Sequence, residues 1–434
     1  MSGVVIVGAG PAGIASAVTL SDSGARVTLL DDNPCAGGQI WRGGNTKASK
    51  WLERLTRSTV VVVTGARVLS GNAAHQTVLA DVNGKAEEFS YSKLILATGA
   101  RELFVPFPGW TLPNVMGVGG LQALVKSGLP VAGKRIVVAG SGPLLLAVAA
   151  YLRKSGAVIP LIAEQARARS LASFTLSLAA HPAKLRQAAE LNPFLGGIRY
   201  LSSCWVESAT SNTAKQVGQA FSLPGLLPQP ASGSCKLESV RLRRGTRVWE
   251  EPCDYLANSH GFTSNTELAM YLGCAAEAGL IKVDELQQTS VSNIYCAGEI
   301  AGIGGVDTAL LEGQIAGFAV SGQPSQAAKL QRSLRKARSF ARQLNKTFQP
   351  RAELRALAQP DTFVCRCEDV TLARLRQADS WRSAKLQERC GMGPCQGRIC
   401  GPAVQFLLGW EPSSLRLPLF PTRLENLIQE NSVQ

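Results

Sequence analysis

Four cysteines near the carboxyl end of this 434-residue chain have the spacing of metal ligands: Cys365 and Cys367 in FVCRCEDV, Cys395 and Cys400 in RCGMGPCQGRIC. They read C-x-C, then 27 intervening residues, then C-x4-C. Structural zinc sites are usually assembled from C-x2-C pairs, whose turn offers two thiolates to one tetrahedral ion. C-x-C with C-x4-C suits a 2Fe–2S cluster instead, in which each of two irons takes two thiolates. Zinc and plain buried thiols are the competing readings. Gly391, Gly393, Gly397 and Gly401 would let backbone N–H groups approach the cluster sulfurs. Cys390 is a fifth thiol, just ahead of the glycine turn, and is expected not to be a ligand. The remaining six (Cys35, Cys204, Cys235, Cys253, Cys274, Cys296) are isolated and form no C-x-x-C redox pair. Eleven cysteines is an odd number, so a complete internal disulfide framework is excluded. His75, His181 and His260 lie in no catalytic or ligand pattern and read as structural or exposed. His260, in NSHGF, is the one nearest a segment with chemistry. No paired-carboxylate motif or nucleophile elbow appears, so no catalytic residue is assigned.

The elements that position chemistry begin at the amino end. VVIVGAGPAGIASAVTLSDSGARVTLLDD reads as a buried strand over Val4–Val7, a glycine turn, a helix, and a second strand ending in Asp31–Asp32. Gly8, Gly10 and Gly13 supply G-x-G-x-x-G: a tight turn, close backbone approach to a pyrophosphate, and close helix–strand packing. The helix N-terminus carries about half a positive charge toward the phosphates. Asp31 stands 23 residues after Gly8, the right offset for a ribose hydroxyl.

The pattern recurs in GKRIVVAGSGPLLLAVAAYLRKSGAVIPLIAE, with Gly140, Gly142 and Glu164 in the corresponding places. Both copies carry proline after the second glycine, Pro11 and Pro143. Leu145 stands where Gly13 stands, and should push helix from strand and disturb the pyrophosphate bed. An NAD(P)H site and a retained fold with a weakened or repurposed site both remain open. The region 165–285 is less legible: SLPGLLPQPASGSC (222–235) reads as a loop, and VRLRRGTRVWEEPCDYLANSHGF as hairpin strands returning to the sheet.

Length and composition set the bounds. The chain is 45% hydrophobic with 43 glycines, an ordinary α/β composition, and is long enough for two to four domains. No apolar run reaches the roughly 18–20 residues needed to span a membrane. The first strand begins by Val4, so no signal peptide is expected ahead of it, and a cytoplasmic location with reduced thiols follows. Lys and Arg outnumber Asp and Glu by 45 to 31. Much of the excess is local: Lys329–Arg355 holds nine basic residues and one acid, Glu353. Leu330, Leu334, Ala337, Ala341 and Leu344 recur there at helical spacing, which predicts a basic amphipathic helix docked on its own protein. No recognition fold or aromatic interleaving accompanies the charge, so nucleic acid is not expected as a partner. Attachment to the inner face of the cytoplasmic membrane is left open.

LILATGAR (94–101) and NIYCAGEIAGIGGVDTALLEGQIAG (293–317) complete a trio with the first turn. The trio resembles the two-dinucleotide-binding-domain flavoproteins, and the resemblance implies FAD in the first site, with Glu299 where aspartate is commoner. The stretch 361–410 resembles the 2Fe–2S domain of bacterioferritin-associated ferredoxins. The order of these parts, with DDNPCAGGQIWR, TGARELFVPFPGW, GSGPLLLAVAAYL, QQTSV and GMGPCQGRIC, closely resembles the α subunits of heteromeric bacterial amino-acid dehydrogenases. These include D-hydroxyproline dehydrogenase, opine (octopine and nopaline) oxidase and hydrogen cyanide synthase. The resemblance implies an α/β fold with two Rossmann-like domains, the second inserted in the first, and a small 2Fe–2S domain. The expected segments are 1–115 and 285–325 for the FAD domain and 116–284 for the insertion. A basic helical linker over 326–360, the 2Fe–2S domain over 361–410 and a tail over 411–434 complete the chain. Carried over, FAD contacts Gly8, Gly10, Pro11, Ala12, Gly13, Asp31, Asp32, Gly38, Gln39, Arg42, Ala97, Thr98, Gly99, Gly298, Glu299 and Val306. Gly140, Gly142 and Glu164 are the residues that would face a second nucleotide, NAD(P) or ATP, if the second fold binds one. The cluster takes Cys365, Cys367, Cys395 and Cys400.

In that family a separate FAD-containing, oxidase-like β subunit oxidises the amino acid and the α subunit handles electrons. An FMN at a subunit interface and a small third subunit are left open. The competing functions are an NAD(P)H-dependent flavin/iron–sulfur reductase that acts without such a partner, and an assembly scaffold whose cysteines hold zinc.

Overall fold

A computed structural model describes residues 3–42, 46–211, 236–411 and 415–428. The chain forms two compact units, one of Met1–Arg101, Phe262–Asn345 and Ser414–Gln434, the other of Glu102–Gly261 and Lys346–Ser413.

In the first unit a parallel sheet runs in the order Ile294–Cys296, Lys93–Leu96, Val4–Val7, Val27–Asp31, Val61–Thr64. VVIV is buried at all four positions, as a central parallel strand covered on both faces requires. The Pro11–Asp22 helix starts with proline at its first turn, where a missing N–H costs nothing. It crosses the Gly305–Val320 helix so closely that a Cβ on Gly313 would collide with the Ala12 carbonyl oxygen. Ser16 Oγ locks the crossing by donating to the Gly313 carbonyl at 2.9 Å. An antiparallel sheet of Ala66–Asn72, Thr77–Val82 and Lys85–Ser90 flanks this core. The basic amphipathic helix forms over Pro324–Phe348: Ala327, Leu334 and Ala341 are buried, and Arg332, Arg335, Lys336 and Arg342 face water.

The second unit repeats the plan. Its parallel sheet runs Arg199–Ser202, Leu161–Glu164, Ile136–Gly140, Tyr255–Ser259, Val115–Met116. Ser239–Arg244 and Arg247–Pro252 form the expected hairpin, and the chain then returns to the parallel sheet. The loop expected at 222–235, with Cys235, lies outside the described residues.

The units divide at 101/102 and 261/262, not at the expected 115/116 and 284/285. Val115–Met116 pairs into the second sheet, and Leu268 and Leu272 sit in the first unit's core. The cysteine segment does not stand as a unit apart. It has a small core of its own, including Val364, Leu375, Trp381 and Val404. It belongs, however, to the compact unit of the inserted fold. There Trp110 Nε1 donates to the Phe363 carbonyl at 2.6 Å, and Leu354 and Leu357 join a core with Val105, Phe107 and Leu256. The linker expected over 326–360 is α-helical to Phe348 and then holds only a short 3-10 turn over Ala352–Ala356. In the tail, Leu419 is buried in the first unit's core. No helix among the described residues is long and apolar enough to cross a membrane.

Candidate cofactor sites

The first glycine turn keeps open ground above it. Gly8 has φ +104°, and a Cβ there would strike the Ala97 carbonyl. A Cβ on Gly13 would strike the Gly8 carbonyl, so both positions exclude any side chain. Gly10 has nothing within 4 Å of where its Cβ would stand. The first turn of the Pro11–Asp22 helix points its free N–H groups into that space, which fits a pyrophosphate. Ala12 is nearly buried, 2.8 Å from where a Cβ on Gly298 would be. Asp31 ends its strand beneath the turn, accepting from the Ala9 N–H and from Asn33 N and Nδ2 at 2.8 and 2.7 Å. Asp32 behaves differently: it is half exposed and pairs with Arg67 at 3.1 Å. Asp31 is therefore the acid on the turn.

The following loop folds back over it. Gly37 N–H donates to the Ala9 carbonyl at 2.8 Å, and a Cβ on Gly38 would lie 3.1 Å from Gly10 Cα. Gln39 and Arg42 converge on Asn33 Oδ1 at 3.4 and 2.9 Å. Ala97, Thr98 and Gly99 close the neighbouring strand end. Thr98 Oγ1 donates to the Asn265 carbonyl at 2.6 Å, and Asn265 Nδ2 donates back to the Thr98 carbonyl at 2.8 Å.

Glu299 is half-buried, and desolvation pushes its carboxyl above the usual range against a hydrogen bond from the Gly305 N–H. Val306 follows in the first turn of the same helix. One ion pair here had no sequence signal. Buried Glu312 accepts from the Gly298 N–H at 2.9 Å and from Arg338 Nε and Nη2 at 2.9 and 2.8 Å.

The second glycine turn is covered. Gly140 keeps the close approach, since a Cβ there would strike the Ser259 carbonyl. Over Gly142, however, lies the Phe348 ring, 3.9 Å from where a Cβ would stand. Ser141 Oγ donates to the Phe348 carbonyl at 2.7 Å, and Gln165 Nε2 donates to the Gln349 carbonyl at 3.1 Å. Arg351 N–H closes the strap by donating to Gln165 Oε1 at 3.2 Å, and Phe174 meets Phe348 edge-on at 5.3 Å. Glu164 is fully buried and accepts from Gly142 N and Ala166 N, both at 2.8 Å; burial pushes its carboxyl up to about 7. Leu145 does not stand loose between helix and strand. It is fully buried in a core with Val138 and Val148, and the helix begins at Leu144.

The cysteines gather. The ligand atoms of Cys365, Cys390 and Cys400 lie within 4.8 Å of one another, all three buried. Cys395 bonds with Cys400 and Cys367, so the four expected thiols meet, and Cys390, expected to stand aside, meets them too. The hydrogen bonds shared within the group hold Cys365 and Cys395 down and push Cys390 and Cys400 up. Backbone groups of Glu368 and Gly391 serve Cys365, and those of Gly397 and Ile399 serve Cys395. A Cβ on Gly393 would collide with that of Cys367, and one on Gly391 would come within 2.8 Å of the Trp381 ring. A glycine cradle and grouped sulfurs fit a metal cluster.

The histidines remain outside these sites. His75 bonds with Asn72, and His181 precedes a helix. His260 is buried with Nδ1 unpartnered, and burial drives it down to about 4, so its ring is neutral. Cys204 and Cys253 are buried, and that burial pushes both thiols up to about 12, which leaves them inert.

The profile of the pyridine nucleotide-disulphide oxidoreductases matches residues 2–313. An opine oxidase subunit from Rhizobium meliloti is 32% identical, over 98% of this chain and 87% of that protein. The hydrogen cyanide synthase subunit HcnB of Pseudomonas aeruginosa is 30% identical, over 91% of this chain and 90% of that one. The chain belongs to this family of oxidoreductase subunits. The profile stops before the cysteine group, whereas the likeness to the opine oxidase subunit runs across nearly the whole chain. L-proline dehydrogenase from P. horikoshii shares the fold, with a TM-score of 0.63 over 98% of this oxidoreductase subunit and 79% of that chain at 20% identity.

Proposed function

We propose that this chain is the electron-transferring FAD/2Fe–2S subunit of a heteromeric amino-acid dehydrogenase complex. A partner flavoprotein subunit oxidises D-hydroxyproline, an opine or a similar amino acid, and this subunit passes the electrons to a respiratory-chain or dye acceptor. The observation that carries the reading is that one chain holds both an open glycine turn and a five-thiol group. When bound, FAD would accept electrons in pairs and a 2Fe–2S cluster would pass them singly. Gly10 and the helix N-terminus behind it would hold the FAD pyrophosphate, Asp31 the ribose, and Glu299 with the Gly305 turn the ribitol side. Cys365, Cys367, Cys395 and Cys400 would hold the irons. The absence of an acid–base set in the sequence fits a relay better than a dehydrogenating site.

The reductase reading loses ground because the Phe348 ring lies over Gly142, the Gly142 N–H is taken by Glu164, and Ser141 and Gln165 donate to the Phe348 and Gln349 carbonyls where an NAD(P)H pyrophosphate would lie. Purified alone, the chain should oxidise no amino acid, and activity should appear when an oxidase-like flavoprotein subunit is added. Full activity from this chain alone, or rapid bleaching of its flavin by NADH, overturns the reading.

A further inference from the structure

Beside the covered turn lies a cavity of about 380 Å³ lined by Arg167, Arg169, Arg351, Ser203 and Trp205 among others. We propose that this cavity binds a phosphate-bearing anion smaller than a dinucleotide. It lies just past the carboxyl ends of Leu161–Glu164 and Arg199–Ser202, the side of an α/β sheet on which ligands settle. Its charge is unbalanced. Glu353 meets Arg351 and, at 3.4 Å, Arg167, while Arg169 has no ion pair among the described residues. Three guanidinium groups against one carboxylate leave about two positive charges, which a phosphate monoester near neutral pH matches with its charge of about −1.5 to −2.

Two further features belong to the same lining. Arg351 stacks on Trp205 at 4.9 Å, yet its Nε–H is buried without an acceptor. Ser203 is held at φ +53°, in the left-handed region, by its N–H bond to the Ala166 carbonyl at 2.9 Å. Such strain concentrates at ligand sites. The size limit comes from the strap: with Phe348 over Gly142, the pyrophosphate half of a dinucleotide has no bed, but the arginine side stays open.

Calorimetry on the full chain at low ionic strength, with inorganic phosphate and AMP as probes, tests this. Saturable binding of phosphate is expected, weakened at least tenfold in Arg169→Gln, whose side chain is exposed and whose melting temperature should be unchanged. If Arg169→Gln melts early, Arg167→Gln takes its place with the same expectation. AMP binding tenfold tighter than phosphate would identify an ester as the natural anion; equal affinities would identify the free ion. No saturable binding of either probe, binding unchanged in the variant, or NAD displacing phosphate from the wild type would each overturn the proposal.

Discussion

Gly10 and Gly13 are the same residue type three positions apart, yet the structure gives them opposite duties. Gly13 is sterically forced, because any Cβ meets the Gly8 carbonyl, whereas Gly10 has room that only a bound group would need. Gly13→Ala should therefore lower stability by about 1–3 kcal/mol through overpacking. Gly10→Ala should fold with an unchanged melting temperature and bind FAD at least tenfold more weakly. Thermal melts of the apoprotein and flavin titration separate the two, and equal effects on both readouts would refute the distinction. Gly13 was legible in the sequence because a position that tolerates no side chain admits no other residue, and Gly10 because it completes the G-x-G-x-x-G spacing. Asn265, Glu312 and Arg338 were not. Each meets its partner across a long stretch of chain, and a single polar residue carries no mark of the partner it will find. Cys390 was legible as a thiol but not as a member of the group, since only the fold of 365–400 brings it to Cys365.

At the scale of elements, the two glycine turns show how far a repeat can be trusted. Strand, turn, helix and second strand recur as the spacing required, and both parallel sheets follow from it. What the repeat could not reveal is that the second turn is covered by residues 348–351, which bind mainly through backbone carbonyls that leave no signature in side-chain chemistry. The end of the Leu161–Glu164 strand carries a consequence for stability. The folded state holds the Glu164 proton to about pH 7 against an ordinary value of 4.5. An acid raised in this way favours the folded state fully below its unfolded value, and that contribution is lost as pH climbs from 4.5 to 7. The loss is on the order of 3 kcal/mol. Urea unfolding between pH 5 and 8 should show a falling stability that Glu164→Gln flattens over this window. Parallel profiles for the two proteins would contradict the assignment. The basic helix was read correctly in type and buried face because its 3.6-residue period is long and unbroken, but its end at Phe348 is set by the strap that follows.

At the scale of the whole chain, each compact unit carries one candidate cofactor site. The open glycine turn lies in the first and the thiol group in the second, on the same unit as the covered turn. A protein so built has no need of a nicotinamide cofactor to receive electrons if a partner delivers them. The most direct test is an anaerobic reductive titration of the purified chain, followed by absorbance and electron paramagnetic resonance together. The account predicts uptake of a pair of electrons by the flavin and of a further single electron by a paramagnetic iron–sulfur centre, with iron and inorganic sulfide in equal amounts. Zinc in place of iron, or a titration that ends at the flavin with no paramagnetic centre, would contradict it.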